Sequence, residues 1–279
     1  MKKTIQDFPF SERTQTAIRL ALEEDIGPGD ITTGLLVSQK SRAKAAIWTR
    51  SSGLFCGEAL VREVFRQLDP QIKLVLHVRE GALCRRNTRL MTLTGSAAAI
   101  LKGERVALNL LARLMGIAAL THDFVSRVKG FAVLILDTRK TTPLWRETEK
   151  YAVRMGGGKN HRMGLYDALF VKENHRALGS LQPLKRYRGR FEIEVRNLSE
   201  LRGALALEPG VILFDNFTPD LLRKAVKLAR KKHPQVILEA SGGITLENVA
   251  HYAAMGVDWI SVGALTHSAK PADLSLLIE

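Results

Sequence analysis

Six short apolar runs recur through the second half of the chain, and helical patterns separate most of them. They are Val133–Asp137, Ala168–Lys172, Phe191–Val195, Val211–Asp215, Val236–Ala240 and Trp259–Gly263. Continuous apolar strands that alternate with helices indicate a parallel sheet covered on both faces. Because no GxGxxG motif lies near the first run, the pattern favours a closed or nearly closed β/α barrel over a doubly wound sheet. A barrel of this kind carries its chemistry in the loops that follow the strands.

The first part of the chain has a different pattern. Ser11 is placed to cap a helix that ends by Gly27. Residues 43–93 contain short alternating runs and one helix from about Gly57 to Leu68, which together predict a small, mostly antiparallel sheet with helices against one face.

A long apolar helix from about Ala98 to Leu114 follows this sheet. Its polar positions, Arg105, Asn109 and Arg113, have a spacing of four residues. Periodicity alone does not decide whether Arg105 lies on a solvated stripe or faces a ligand or a partner subunit.

The segment from Ile135 to His175 gathers many cations around one predicted helix. Thr142 suits the cap of this helix and Pro143 its first position, and the glycines from Gly156 onward end it. Leu144, Thr148, Tyr151, Ala152 and Met155 form its predicted apolar face. The cations therefore lie outside the packed part, at strand ends and in a loop.

Charged residues stand at the carboxyl ends of most of the predicted barrel strands. They are Asp137 with Arg139 and Lys140, then Lys172, Asp215 and Glu239, while the third strand carries Glu192 and Glu194 within its length. One such residue is usually the solvated base of a loop, but a whole rim of them indicates a site.

The rim residues can be sorted by charge. Arg139, His161, Arg162 and Lys172 suit a substrate with two carboxylates, since arginine donates paired hydrogen bonds. Glu194 and Asp215 offer the oxygen ligands that Mg²⁺ prefers, although an acidic pair alone is weak support for a metal. The last barrel loops, with Ser241, Gly242 and Gly243 and with Gly263 and Ala264, are typical phosphate sites. The residues thus predict an enzyme that joins a polycarboxylate to a phosphorylated, metal-bound partner.

Composition narrows the class of protein. The 279 residues are 46% hydrophobic and carry 42 Lys and Arg against 28 Asp and Glu, a net charge of +14. Such a surface attracts anions of several kinds, including nucleic acid, but no RNA- or DNA-binding signature accompanies it. Cys56 and Cys84 suggest neither a disulfide framework nor a zinc site. Without an evident membrane span or signal peptide, we expect a soluble, cytoplasmic protein that binds neither membrane nor nucleic acid.

Long motifs closely resemble the quinolinate phosphoribosyltransferase family, the carboxylating nicotinate-nucleotide pyrophosphorylases. They are EEDIGPGDITT, ERVALNLLARLMGIA, DTRKTTP, EKYAVRMGGGKNHRMGLYDALFVKENH, EIEV, LFDNF, EASGGI and ISVGALTHS, and they cover nearly the whole chain in order. The resemblance implies an α/β fold: an N-terminal open-faced sandwich at residues 1–112, with the tail from about 270 to 279 packed on it. An incomplete, six- to seven-stranded β/α barrel at 113–269 follows.

The resemblance also implies an activity and a set of roles. Phosphoribosyl would be transferred from phosphoribosyl pyrophosphate to quinolinate with decarboxylation, giving nicotinate mononucleotide for NAD synthesis. The family's quinolinate-binding residues match Arg139, His161, Arg162 and Lys172, and Arg105 matches an arginine given by the neighbouring subunit of a dimer or dimer-based hexamer. The remaining matches are Lys140 near the reaction centre, Glu194 and Asp215 for Mg²⁺ and ribose, and Ser241, Gly242, Gly243, Gly263 and Ala264 for the 5-phosphate. KTTPLWR replaces the commoner KTTPGLR, which alters the entry to the helix.

Two alternatives remain at this point. A paralogue of the same fold, of the type found in molybdate-transport operons, would act on another acceptor while keeping the phosphate loops. A basic nucleic-acid-binding protein would spread its cations over one face instead of gathering them at strand ends.

Overall fold

The computed structural model describes residues 11–279, so most of the segment on which the signal-peptide prediction rests lies outside the described residues. The chain forms two compact units. One comprises the described residues up to Leu120 together with Thr141–Gly157 and Ala269–Glu279, and the other comprises Thr121–Lys140 and Gly158–Ser268. The barrel unit therefore lacks the Thr141–Gly157 segment that the predicted domain range 113–269 includes.

The helices and strands alternate along most of the described chain. The helices are α1 Glu12–Ile26, α2 Ile31–Leu36, α3 Glu58–Leu68, α4 Ala97–Arg127, α5 Arg146–Met155, α6 Glu173–Leu178, α7 Leu198–Leu205, α8 Pro219–Lys232, α9 Val249–Ala253 and α10 Ala264–His267. The strands are β1 Arg42–Thr49, β2 Gly53–Leu54, β3 Lys73–Leu76, β4 Leu83–Cys84, β5 Arg89–Ser96, β6 Leu134–Leu136, β7 Leu169–Val171, β8 Phe191–Val195, β9 Val211–Asp215, β10 Ile237–Ser241, β11 Trp259–Ser261 and β12 Leu274–Ile278.

The first unit contains the predicted antiparallel sheet. Its strand order is β12-β1-β5-β3, and the C-terminal strand β12 pairs antiparallel with β1. Helix α1 begins where the sequence predicts, because the Ser11 side chain accepts a hydrogen bond from the Thr14 N–H. Apolar residues of this unit such as Ile47, Leu93 and Phe65 are almost fully buried.

Helix α4 is much longer than predicted and runs through the predicted boundary at residue 112. Gly116, within it, is a site of close approach: an added Cβ would lie 2.1 Å from the Lys270 carbonyl oxygen. Helix α4 is long and apolar enough to cross a membrane by length and composition alone, which by itself is weak evidence for a membrane span. Half of its apolar window is buried inside the protein, and the core helix of a soluble protein can pass the same test of length and composition. The expected absence of membrane and nucleic-acid partners stays a prediction.

The second unit is a six-stranded, fully parallel sheet with the order β6-β11-β10-β9-β8-β7. Its strands lie within or beside all six predicted apolar runs, and β8 and β9 match theirs residue for residue. The consecutive strands β6 and β7 stand at opposite edges, which is the order of a barrel opened between its first two strands. The predicted fold class, an N-terminal α/β sandwich and an incomplete barrel, is confirmed.

The start of helix α5 differs from the prediction. The helix begins at Arg146, with Trp145 and not Thr142 at its cap position. Thr142 instead donates hydrogen bonds from its N–H and its hydroxyl to the buried Glu149, which Arg113 also contacts at 3.0 Å. Leu144 lies outside the helix with φ +68° and a 61% exposed side chain, so it is not part of the apolar face.

Candidate active site

A cavity of about 590 Å³ lies at the carboxyl ends of the barrel strands. Every predicted site residue except Arg105 lines it. The predicted residues in the lining are Arg139, Lys140, His161, Arg162, Lys172, Glu194, Asp215, Ser241, Gly242, Gly243, Gly263 and Ala264. The lining also contains residues that were not predicted as ligands, among them Thr138, Phe170, Glu239, Thr245, Ser261 and His267. Parallel strands bring these residues together, because their carboxyl ends meet at one rim.

Cations crowd one side of the cavity around the ring of Phe170. The Arg162 guanidinium lies 5.1 Å and the Lys172 Nζ 4.6 Å from the ring centroid, within cation–π range. Burial and the nearby Arg139 charge lower the pKa of Arg162. Two guanidinium groups whose charges influence each other in a partly buried wall form a site for an anion with more than one negative charge.

Asp137 holds the loop that carries His161 and Arg162. Its fully buried carboxylate accepts hydrogen bonds from the His161 N–H at 2.8 Å and from Asn160 Nδ2 at 2.5 Å. Lys159 pairs with β6 as an isolated parallel bridge. The charged residues after β6 therefore have different roles. Asp137 anchors the neighbouring loop, whereas Arg139 and Lys140 line the cavity.

A buried acidic pair faces the imidazole of His161. Its Nε2 lies 3.0 Å from Glu192 Oε2 and 3.6 Å from Glu239 Oε2. Burial raises the pKa of Glu192, and Ser261 Oγ donates a hydrogen bond to the other oxygen of Glu239. Among the described residues, His161, Glu192 and Glu239 form a group of three side chains that could bind a metal ion, because their ligand atoms lie within 4.8 Å of one another.

Glu194 and Asp215 lie on adjacent strands at another part of the same cavity. Glu194 Oε2 is 3.5 Å from the Lys172 Nζ, and Asn216 Nδ2 donates a hydrogen bond to Asp215 Oδ2 at 3.0 Å. Two carboxylates that open on a polar cavity fit Mg²⁺, which keeps several waters and takes further oxygens from a bound phosphate.

Glycines form another part of the cavity wall. Gly242 and Gly243 have φ values of +90° and +64°, so the loop after β10 follows a left-handed path that favours glycine. An added Cβ at Gly242 would lie 2.3 Å from Asn216 Oδ1, and one at Gly263 would lie 3.1 Å from Lys140 Cδ. The bare backbone here suits a phosphate group, which binds to main-chain N–H groups.

Arg105 is the one predicted site residue that does not line this cavity. It lies on α4 with its side chain 62% exposed, and its guanidinium is 3.9 Å from the neighbouring Glu104 carboxylate. The structure holds one protomer, so a role for Arg105 at a partner's site stays a prediction.

Two models of known protein families match the chain, one in its first part and one in its second part. The model of the quinolinate phosphoribosyl transferase N-terminal domain matches residues 30–115, and that of the C-terminal domain matches residues 117–277. The chain belongs to the quinolinate phosphoribosyl transferase family.

Individual relatives resemble the chain over nearly its full length. A probable nicotinate-nucleotide pyrophosphorylase (carboxylating) of Bacillus subtilis is 43% identical, covering 91% of this chain and 89% of that protein. The nicotinate-nucleotide pyrophosphorylase (carboxylating) of Mycobacterium leprae is 39% identical, covering 98% and 99%. The structure of the nicotinate-nucleotide pyrophosphorylase of Francisella tularensis superposes with a TM-score of 0.90 at 36% identity over all of both chains.

Sequence reasoning missed several residues of this family member's cavity. Glu192 and Glu239 were noted as strand-end charges, but their convergence on His161 depends on side-chain directions across three elements. Phe170 reads as an ordinary strand residue, and its neighbours, the cations of Arg162 and Lys172 and the ring of His161, are visible only in the fold. His267 could have been found from the sequence, because it falls within the motif ISVGALTHS.

Proposed function

We propose that this chain transfers phosphoribosyl from phosphoribosyl pyrophosphate to quinolinate and releases nicotinate mononucleotide, pyrophosphate and carbon dioxide. One observation carries the proposal: a single cavity has an arginine-rich wall, a carboxylate pair and a glycine-rich wall. The family to which the chain belongs, and the names of its relatives, agree with this activity.

The arginine-rich wall is the proposed acceptor site. Quinolinate carries two adjacent carboxylates on a planar ring, and Arg139 and Arg162 offer paired donors for such groups. Lys172 adds a point charge from the end of β7 and also contacts Glu194 at 3.5 Å, which joins the acceptor side to the acidic pair. Lys140 enters the cavity next to Gly263, where the two substrates would meet.

The glycine-rich wall and the acidic pair form the proposed donor site. Ser241, Gly242 and Gly243 with Gly263 and Ala264 would hold the 5-phosphate through main-chain N–H groups. Glu194 and Asp215 would hold Mg²⁺ and the ribose hydroxyls. When bound with the donor, Mg²⁺ supplies neutralisation of the charge that develops on the leaving pyrophosphate.

The chemistry requires orientation and charge stabilisation more than a covalent nucleophile. The pyridine nitrogen of quinolinate attacks the anomeric carbon as pyrophosphate departs, and nearby cations such as Lys140 stabilise the leaving charge. The ring nitrogen is then positively charged, which stabilises the carbanion left at ring position 2 when carbon dioxide leaves, and this carbon takes up a proton from water to give nicotinate mononucleotide. Arg139 and Arg162 hold the ring by its carboxylates, so the nitrogen keeps a fixed direction toward the donor.

Turnover with the two substrates tests the proposal. Purified protein, quinolinate, phosphoribosyl pyrophosphate and Mg²⁺ should yield nicotinate mononucleotide, and nicotinic acid in place of quinolinate should not react. A protein that forms no product from quinolinate, while binding phosphoribosyl pyrophosphate normally, would instead be a paralogue with another acceptor.

We further propose that the protein works as a dimer or dimer-based hexamer in which Arg105 completes the partner's acceptor site. Its exposed position on α4 is compatible with this role. Mixing inactive Arg105→Ala subunits with inactive Lys140→Ala subunits should restore part of the activity, because one site of each mixed dimer then has both residues. Verified mixed dimers that stay inactive would show that the residue is not shared.

A further inference from the structure

The main chain of Lys140 is held by the hydroxyl groups of two threonines. Lys140 lies in the loop between β6 and α5, outside any helix or strand. Its N–H donates to Thr138 Oγ1 at 3.0 Å, and its carbonyl oxygen accepts a hydrogen bond from Thr266 Oγ1 at 2.7 Å. Among the described residues, no main-chain N–H donates to this carbonyl. Because Thr138 belongs to the same loop, Thr266 supplies the hydrogen bond that ties Lys140 to another element.

Thr266 also contacts the glycine loop after β11. It lies in helix α10 and is fully buried, and its N–H donates to the Gly263 carbonyl at 3.1 Å. Its hydroxyl is 3.2 Å from that same carbonyl, but the one hydroxyl proton has the shorter path to the Lys140 carbonyl at 2.7 Å. Thr266 therefore joins Gly263, through its main chain, to Lys140, through its side chain.

The place of the Lys140 ammonium group depends on this main-chain contact. Lys140 lines the cavity and is exposed. Its Cδ lies against Gly263, where an added Cβ would be 3.1 Å from it. An exposed lysine has a flexible stem with many rotamers, so its charge stays in one place only if its main chain is fixed. A rotation of the Lys140 peptide would carry the stem away from Gly263.

We propose that Thr266 is a positioning residue that acts through Lys140. Its hydroxyl fixes the Lys140 peptide beside the glycine loop, so that the ammonium group stays where the two substrates would meet. This inference rests on the proposed function, in which Lys140 stabilises the charge of the leaving pyrophosphate. Because such stabilisation requires a cation that is held in place before the reaction, the hydroxyl should contribute to kcat and little to either KM.

Thr266→Val tests the proposal, because valine keeps the branched shape and the main-chain bond to Gly263 and removes only the hydroxyl. We expect kcat to fall about tenfold or more, since a displacement of about 1 Å can cost about 100-fold in rate. Both KM values should change little, and Thr266→Ser, which keeps the hydroxyl, should retain most of the wild-type kcat. A higher KM for phosphoribosyl pyrophosphate with unchanged kcat would overturn the proposal, because the hydroxyl would then serve the phosphate loop itself.

A double-mutant cycle tests whether Thr266 acts through Lys140. Single-turnover measurements with enzyme in excess give the low rate of Lys140→Ala. Adding Thr266→Val to this variant should lower its rate by less than about twofold, because the side chain that Thr266 positions is already gone. The same loss in both backgrounds would overturn the proposal. If Lys140→Ala forms no measurable product, the comparison of crystal structures decides.

Thr49→Val is the matched control for the loss of a buried threonine hydroxyl. Thr49 is fully buried on β1, and its Oγ1 donates to the Ser51 carbonyl at 2.6 Å. Like Thr266→Val, this variant should have a lower melting temperature, but its kcat and both KM values should be those of the wild type. An equal fall of kcat in Thr49→Val would overturn the proposal, because lost stability alone would explain it. Should Thr266→Val not fold, Thr266→Ala is compared with Thr266→Ser.

Crystal structures of the wild type and the Thr266 variants separate this proposal from the proposed function. We expect the Lys140 carbonyl to turn and its stem to leave Gly263 in Thr266→Val, and both to stay in place in Thr266→Ser. An unchanged Lys140 in Thr266→Val would overturn the proposal. Absence of wild-type turnover would refute the proposed function alone, because the structures would still report how Lys140 is held.

Discussion

Gly242 offers the sharpest test of the proposed donor site, because its neighbour Gly243 provides a matched control. Both residues have positive φ, so Gly→Ala at either one costs about 1–2 kcal/mol of backbone strain. Only at Gly242 would the new Cβ meet a neighbour, Asn216 Oδ1 at 2.3 Å, whereas Gly243 has nothing within 4 Å of its added Cβ. The difference between the two variants therefore isolates the contact with Asn216.

That contact leads to the acidic pair. Asn216 donates a hydrogen bond to Asp215 at 3.0 Å, and its own N–H donates to the Ser241 carbonyl. Displacing the Asn216 side chain removes a bond worth about 1 kcal/mol and shifts the carboxylate proposed to hold Mg²⁺. Together with part of the backbone strain of about 1–2 kcal/mol, the loss of this bond should raise the KM for phosphoribosyl pyrophosphate about 10- to 100-fold, since 1.4 kcal/mol corresponds to about tenfold.

Steady-state kinetics of Gly242→Ala and Gly243→Ala, with thermal unfolding of both, checks the argument. We expect similar losses of melting temperature but a much larger rise in the KM for phosphoribosyl pyrophosphate in Gly242→Ala, with the quinolinate KM nearly unchanged. Equal kinetic effects in the two variants, or a rise in the quinolinate KM of the same size, would refute the assignment of this loop to the donor.

Three further changes probe other parts of the account. Arg162→Ala should raise the KM for quinolinate by about 100-fold while the KM for phosphoribosyl pyrophosphate changes little, since a partly buried charge-assisted contact is worth about 2–5 kcal/mol; equal rises in both would show that the division of the cavity is wrong. Leu144→Gly should raise the unfolding free energy by about 0.5–1 kcal/mol in urea titrations, because it relieves a residue at φ +68° and removes only an exposed side chain; a loss of stability would contradict this. Partial burial would raise the pKa of Glu200, but hydrogen bonds from Arg176 and Arg196 lower it from 4.5 to about 2, so this group stabilises the fold above pH 4.5 and its contribution is lost as the pH falls toward 2. Glu200→Gln should therefore cost about 1 kcal/mol at pH 7 and almost nothing at the acid end, and a pH-independent loss would exclude the linkage.

The barrel was predictable because its signal is local. Val211–Asp215 is a continuous apolar run that ends in a charge, Phe191–Val195 alternates apolar residues with Glu192 and Glu194, and the strands coincide with both. The rim residues followed from the same logic, since strands that run parallel must end together. This is why nearly the whole predicted set lines one cavity.

The errors arose where a tertiary contact overrides a local preference. Thr142 and Pro143 have the composition of a helix start, yet Glu149 takes both donors of Thr142 and the helix begins later. Helix α4 passes through Gly116, where a packing contact with the Lys270 carbonyl explains the glycine.

The buried cluster of His161, Glu192 and Glu239 was the part of the site least visible in the sequence. The two glutamates stand on different strands, and their directions depend on sheet register. A histidine in a basic loop reads as one more substrate cation, whereas the structure places its Nε2 3.0 Å from the buried Glu192 carboxylate and 3.6 Å from that of Glu239.

Release of labelled carbon dioxide tests the central claim most directly. Quinolinate that carries carbon-14 in its 2-carboxylate should lose labelled carbon dioxide in step with the formation of nicotinate mononucleotide, and only when phosphoribosyl pyrophosphate and Mg²⁺ are both present. Stoichiometric release that depends on the donor is the predicted result. No release, or release without the donor, would contradict the account.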